Sequence, residues 1–437
     1  MNIFKVFTLL IGMFFIFTVY SCSSNIKPAS FENESDKSDI VGSKGVSGSG
    51  IDIDIYIDAT TSMKGFALVP DNAYSKFLDE LESALHTSWK ESNIKFFKFG
   101  TKMREITREE YKSAESQELF YKEKGILEET NIDQVVDQTS QDRISLVITD
   151  LFQTDGDVLK VVDKLKDRCF GKDIDLAIMG IKSDYNGIIF DTKVPPFPLD
   201  TRSNPELKRA FYAIIFGNGQ NIEHLFKTLM STPLKEYLSD DQFTIISSNA
   251  AVRDFNIEFV KPEISKKDRS IVIKKKTDNS KDPLTYSATV TDASKPMPVT
   301  VNLKIDSGYY PRVGDLIVKV DRNAVMKGSK DFAVEENTSD FKIKNISRDG
   351  DTFSIDFELN FPPKAVVASY AFYFGIPQLN AFSTPEWVKS FSSENPTPDS
   401  EPNKTLNLDR FVRDLLRATA SVNNYKVAKG YLHITVK

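Results

Sequence analysis

The sequence predicts an α/β domain built on a doubly wound, mostly parallel sheet, followed by an all-β, sandwich-like domain. Two patterns carry this expectation. Between residues 51 and 239, apolar stretches such as Ile144–Ile148 and Ile174–Ile181 alternate with segments whose apolar residues recur at helical spacing. Strands that are apolar throughout belong to a sheet covered on both faces, which is the habit of parallel sheets. From Gln242 onward the periodicity drops to two, and short strands follow one another between turn signals, as in a sandwich. At 437 residues with 40% hydrophobic content, the chain can bury more than one core.

In chain order, residues 1–21 carry Lys5 and then the apolar run Val6–Tyr20, which has signal-peptide length and is short for a membrane span. The run ends in Val19-Tyr20-Ser21-Cys22, which resembles a bacterial lipobox. That resemblance implies cleavage before Cys22 and lipidation of its thiol. The protein would then be lipid-anchored in the bacterial cell envelope and extracytoplasmic, on the outer membrane or cell surface, with the lipid bilayer as one partner. An ordinary secretory signal or an uncleaved anchor are the alternatives, and both also put the folded part outside the cytoplasm. Residues 22–50 are rich in Ser, Asn, Lys and Gly and read as a flexible tether.

The first domain, residues 51–239, opens on Ile51–Gly65, IDIDIYIDATTSMKG. Alternating isoleucines predict a strand. It gives way to Asp58, Thr60 and Ser62, one carboxylate and two hydroxyls at every second position. Small oxygen ligands at a strand end suit a hard cation such as Mg²⁺, and the same groups also suit the cap of a following helix. Helical spacing follows at Asn72–His86, a strand at Ile94–Phe99, a charged irregular stretch at Met103–Gly125 and a strand at Ile144–Asp150. A helix at Val158–Leu165 and the strand Ile174–Ile181 come next, then a hairpin or loop over Asp184–Pro205. The stretch Phe211–Asn218 is expected to be the last strand, and the helix with Ile222, Leu225, Phe226 and Leu229 to close the domain. Ligands of parallel sheets gather beyond the strands' carboxyl ends, where Asp58 and Asp150 both fall.

Asp58-x-Thr60-x-Ser62 resembles the D-x-[ST]-x-S motif of von Willebrand factor A (vWA) domains, with the resemblance running from about Ile51 to Ser239. It implies a Rossmann-like sheet and a metal-ion-dependent adhesion site (MIDAS) completed by a distant Thr and a distant Asp. Thr130, in Glu129-Thr130-Asn131, and Asp150 stand in the corresponding order. The implied site is Asp58, Thr60, Ser62, Thr130 and Asp150 around Mg²⁺, or Mn²⁺ or Ca²⁺, with an Asp or Glu carboxylate of a protein partner in the open coordination position. The family usually has glycine before the Thr and often after the Asp; here Glu129 and Leu151 stand there.

Residues 240–437 are expected to form the sandwich-like domain. Its strands are predicted at 242–247, 254–260, 271–275, 285–290, 299–305, 316–320, 341–346, 353–359 and 366–374, followed by a helix over 406–416 and a terminal strand over 425–436. No Cys-Trp-Cys signature fixes its topology.

A net charge of −6 and a pI near 5.4 exclude a phosphate-backbone partner as the default, so no nucleic acid is expected. His86, His224 and His433 lack the spacing of zinc ligands. With Cys22 modified, Cys169 has no disulfide partner and reads as a small buried hydrophobe. The favoured reading is therefore a membrane-anchored binding or adhesion module and not an enzyme. The alternatives are a scaffold whose metal site is vestigial and whose β-domain makes the contacts, or a metal-dependent phosphohydrolase with Asp58 as nucleophile. The last lacks the second Asp that such enzymes usually show where Thr60 stands.

Overall fold

The computed structural model describes residues 50–151, 155–248, 254–260, 271–275, 285–290, 294–326, 332–362, 365–375, 382–422 and 426–436. The leader and tether expectations and the lipidation of Cys22 lie outside the described residues. No helix among the described residues is long and apolar enough to cross a membrane.

The isoleucine alternation of the opening stretch forms β1 (Asp52–Asp58), buried along nearly its whole length. It lies at the centre of a sheet with β2 (Asn93–Phe99), β3 (Met103–Ile106), β4 (Arg143–Thr149) and β5 (Asp175–Ser183). Among the described residues, the strands β6 (Asn186–Ile189) and β7 (Phe197–Asp200) pair only with each other, as a hairpin within the Asp184–Pro205 stretch. The large sheet is completed by β8 (Arg209–Gly217) and β9 (Phe243–Ile246), in the order β3-β2-β1-β4-β8-β5-β9. β1 pairs in parallel with β2 and β4. The β2–β3, β4–β8, β8–β5 and β5–β9 pairings are antiparallel.

The domain is thus mixed α/β, with a seven-stranded sheet that is parallel at its centre and antiparallel on both flanks. The mostly parallel sheet expected from sequence extends only over β2, β1 and β4. β8 is not a last strand; it inserts between β4 and β5. It is buried on both faces from end to end, and an apolar run of that kind carries no signal of its direction.

Helices cover both faces. Ala73–Ser88 buries Tyr74, Phe77, Leu78, Leu81 and Leu85 against one face, and Gly219–Leu229 joins it there with Ile222, Leu225, Phe226 and Leu229. Asn72 caps the first of these by accepting the Ser75 amide. On the other face lie Asp155–Arg168, through Val161, Val162 and Leu165, together with the C-terminal helices Glu386–Phe391 and Leu408–Val422. Cys169 is a free thiol in this core, and burial pushes it up to about 11.

The second half forms two sheets. One has the order β10-β13-β17-β16, made of β10 (Asp254–Val260), β13 (Met297–Asp306), β16 (Phe341–Asp349) and β17 (Thr352–Leu359). The other contains β11 (Ile271–Lys275), β12 (Thr285–Val290), β14 (Ile317–Met326), β15 (Phe332–Glu335) and β18 (Ala365–Gly375), plus the terminal β21 (Lys426–Val436) between β12 and β18. The pairs β19 (Ser392–Ser393) and β20 (Thr405–Leu406) form a short separate ladder. Val301, Ile355, Phe372 and Leu432 from the two large sheets share one core, which makes the pair a sandwich.

The chain crosses the expected division at residue 240 twice. β9 adds to the first sheet, and residues 386–422 return to it: Trp387, Phe391, Phe411 and Leu415 pack with Leu165, Leu176 and Tyr212. The Trp387 indole N–H donates to Thr244 Oγ1 at 3.0 Å.

Candidate functional site

β1 and β4 run side by side with Ile57 opposite Ile148, so Asp58 and Thr149 emerge at the same edge of the sheet. The Thr149 hydroxyl donates to Asp58 Oδ2 at 2.7 Å. Past Asp58 the chain turns back on its own carboxylate. Thr60 donates to Asp58 Oδ1 from its backbone N–H at 3.0 Å and from its hydroxyl at 2.7 Å, the local chemistry that makes Asp a turn residue. Thr60 Oγ1 lies 3.2 Å from Ser62 Oγ and 3.4 Å from Thr130 Oγ1. Thr130, seventy-two residues from Asp58 in sequence, donates to Asp58 Oδ2 at 3.0 Å. Two separated segments thus place four of the five expected side chains around one point, and Thr149 joins them from a third. The fifth, Asp150, follows Thr149 at the same edge, is 1% exposed and lies close enough to act electrostatically on Asp58.

The donor set suits a hard divalent ion. In an octahedral shell with bonds of about 2.1 Å, adjacent oxygens stand roughly 3 Å apart, and the hydroxyl separations of 3.2 and 3.4 Å are of that size. Among the described residues no group of three or more His, Cys, Asp or Glu side chains is arranged for a metal. An ion here would rest on hydroxyls and at most two carboxylates. Glu129 is exposed, and its backbone N–H donates to Thr101 Oγ1 at 3.2 Å.

Electrostatically the site is strained. Burial first, and then the charge of Asp150, raise the Asp58 carboxyl above its ordinary range, against the hydrogen bonds from Thr60 and Thr149. Beside the pair lies Arg209, the first residue of β8 and 1% exposed. Its Nη2 is 2.6 Å from Asp191 Oδ1 and 3.8 Å from Asp150 Oδ2. Asp191 Oδ2 in turn accepts the Leu406 amide at 3.2 Å.

No family model and no curated protein sequence matches this chain.

The backbone after the site carries a further signal. Leu151 has φ 58°, the left-handed region that disfavours a bulky side chain. Glycine is absent from a position whose conformation favours it. The conformation is held by the Leu151 amide donating to Thr149 Oγ1 at 3.1 Å and by burial of the leucine in the core. On the opposite flank Tyr185 braces the loop. Its hydroxyl lies 3.1 Å from Ser62 O and 2.8 Å from Ile188 O, and a Cβ on Gly65 would sit 2.3 Å from its ring.

Thr149, Arg209, Asp191 and Tyr185 were not among the residues expected from sequence. Thr149 had a signal, as a polar residue ending an otherwise apolar strand beside Asp150. Arg209 had none, since it follows Lys208 at the mouth of an apolar run and reads as a solvated charge.

The surroundings are apolar and exposed. The one-turn helix Lys64–Ala67 leads out of the site, with Leu68 at its end 37% exposed. It is flanked by Leu119, 77% exposed, whose neighbour Glu118 pairs with Lys64 at 3.3 Å, and by Ile188, 41% exposed, on the hairpin that Tyr185 ties to Ser62. Thr130 is only half-buried, so the carboxylate and hydroxyl cluster meets solvent on its side.

Proposed function

We propose that this chain is a lipid-anchored binding module of the bacterial cell envelope, with a vWA-like domain that captures a protein partner through a divalent metal. Asp58, Thr60, Ser62 and Thr130 would hold Mg²⁺, Mn²⁺ or Ca²⁺, with Asp150 as the second charge, directly or through water. The metal would supply a coordination position for an Asp or Glu carboxylate of the partner. The observation that carries this reading is the meeting of Asp58, Thr60, Ser62 and Thr130 within 3.4 Å of one another along the chain of hydrogen bonds. Exposed Leu68, Leu119 and Ile188 around the same loop support a contact surface, since exposed apolar clusters mark docking sites. Cys22 would carry the lipid anchor and residues 22–50 the reach from the membrane.

Arg209 favours one second reading. A guanidinium 3.8 Å from Asp150 is already a cation beside the site, and a scaffold with a vestigial metal site would use it in place of an ion. The test is capture from a membrane extract by the full mature chain, with and without EDTA. The metal reading expects capture that is abolished by EDTA and by Asp58→Ala. Capture that survives both treatments transfers the contact to the β-sandwich and supports the scaffold.

A further inference from the structure

Resting on the metal-binding reading above, we infer that Arg209 and Asp191 are positioning residues that set the charge of the site, so that the site matches one divalent ion. Neither is a ligand. Three carboxylates, Asp58, Asp150 and Asp191, and one guanidinium, Arg209, are all at most 1% exposed at this edge. Their formal sum is −3 + 1 = −2, the charge that one M²⁺ neutralises. Among the described residues, the other buried cation near this edge, Lys98, has its own counter-ions, Glu123 at 2.7 Å and Glu110 at 3.6 Å. Burying uncompensated charge is costly, so the count of fixed charges decides which ion the site accepts.

The geometry makes Arg209 a permanent member of that count. A guanidinium does not lose its proton. Nη2 donates to Asp191 at 2.6 Å and lies 3.8 Å from Asp150 Oδ2, beyond hydrogen-bond distance. The guanidinium carbon stands 5.6 Å from the centroid of the Tyr185 ring, and Nε and Nη1 find no hydrogen-bond acceptor among the described residues. Asp191 and the ring thus fix the guanidinium beside Asp150, and the Leu406 amide fixes Asp191. Removing Arg209 leaves a site of −3, which one divalent ion no longer balances and a trivalent ion does. Removing the charge of Asp191 leaves −1 and frees Arg209 to bond Asp150. A purely structural role would weaken every ion alike in both variants. A charge-setting role moves the two variants in opposite directions.

The experiment titrates Mn²⁺ and Tb³⁺ separately into the full mature chain, as wild type, Arg209→Met, Arg209→Lys and Asp191→Asn, with circular dichroism confirming each fold. Charge setting expects Arg209→Met to raise the Tb³⁺-to-Mn²⁺ affinity ratio by about tenfold or more, Arg209→Lys to keep it near wild type, and Asp191→Asn to weaken Mn²⁺ by about tenfold. Should Arg209→Met fail to fold, Asp191→Asn decides the matter: charge setting expects its Tb³⁺-to-Mn²⁺ affinity ratio to fall below wild type, because the site carries less negative charge, whereas a structural role leaves the ratio unchanged and overturns the inference. Mn²⁺ binding with an unchanged ratio and unchanged affinity in the folded variants overturns the inference and leaves the metal site standing. No Mn²⁺ binding by wild type overturns the metal reading itself, and binding gained only in Arg209→Met shows that Arg209 replaces the ion, which overturns both.

Discussion

Thr149 on β4 donates its hydroxyl to Asp58 on β1 across 2.7 Å, and the same oxygen accepts the amide of Leu151, the residue at φ 58°. One side chain therefore joins two strand ends, orients the buried carboxylate and holds the unfavourable backbone after Asp150. Thr149→Val keeps the shape and removes both bonds, leaving a buried carboxylate short of a donor and a buried N–H without an acceptor. The expected loss is about 2–3 kcal/mol in urea denaturation, with Thr149→Ser recovering most of it. A Val variant within about 0.5 kcal/mol of wild type would show that the bond carries no such weight.

Gly65 and Tyr185 make the second lever. A Cβ at residue 65 would lie 2.3 Å from two ring carbons of a tyrosine whose hydroxyl reaches Ser62 O. Gly65→Ala is expected to cost about 1–3 kcal/mol by overpacking and to weaken metal binding, because the ring must move with the loop it braces. Tyr185→Phe should cost roughly 1 kcal/mol and change metal affinity less. The comparison is made by thermal melting and metal titration on the same samples.

Asp175 supplies a pH test far from the Asp58 cluster. It lies at the start of β5, at the opposite end from Ser183, and accepts the Gly219 amide at 2.8 Å. Burial pushes its carboxyl up to about 6 against an ordinary value of 3.8. The folded state therefore holds a proton that the unfolded chain has released between about pH 4 and 6. The associated stability is fully present below pH 4 and lost as pH rises through 6. Asp175→Asn keeps an acceptor for Gly219 without the charge. It should be more stable than wild type at pH 7.5, by on the order of 2 kcal/mol, and show a flatter stability profile between pH 4 and 6. Parallel profiles for the two proteins would show that this carboxyl does not couple to folding.

A fragment of residues 51–239 should fail to fold stably. It lacks β9 and the helices Glu386–Phe391 and Leu408–Val422, whose Trp387, Val388, Phe391, Phe411, Val412, Leu415 and Leu416 cover one face of the sheet. At about 1.5–3 kcal/mol for each large buried side chain, their loss, on the order of 10–20 kcal/mol, is as large as the usual net stability of a domain, about 5–15 kcal/mol. Near-UV circular dichroism would report the outcome, and a cooperatively melting fragment would contradict it.

The local levels of this structure were legible in the sequence. The isoleucine alternation of β1, the helical spacing of Tyr74 to Leu85, the period-two strands of the sandwich and the grouping of Asp58, Thr60 and Ser62 follow from residue types at fixed offsets, whereas the place of Thr130 beside them was implied by the resemblance to vWA domains. The long-range levels were not. The direction of β8 is invisible in an apolar run, and the return of Leu408–Val422 to the first sheet depends on which exposed face needs cover, a property of the assembled sheet. Arg209 is not legible in the sequence because a charge at the start of a strand is solvated in most folds; the meeting of Asp150 and Asp191 around it makes it internal. Leu151 took the left-handed conformation without the glycine that would have announced it, since burial of its side chain and the Thr149 oxygen offset the strain.

Binding of a divalent cation by the cluster around Asp58 is the proposal on which the metal predictions above depend. Calorimetric titration of Mn²⁺ into the full chain, beside Asp58→Ala and Thr60→Val, decides this. Saturable binding of a single ion by wild type is expected, with none in Asp58→Ala and affinity reduced by about tenfold in Thr60→Val, which removes one proposed hydroxyl ligand. Absence of binding by wild type, or equal binding by Asp58→Ala, would contradict it.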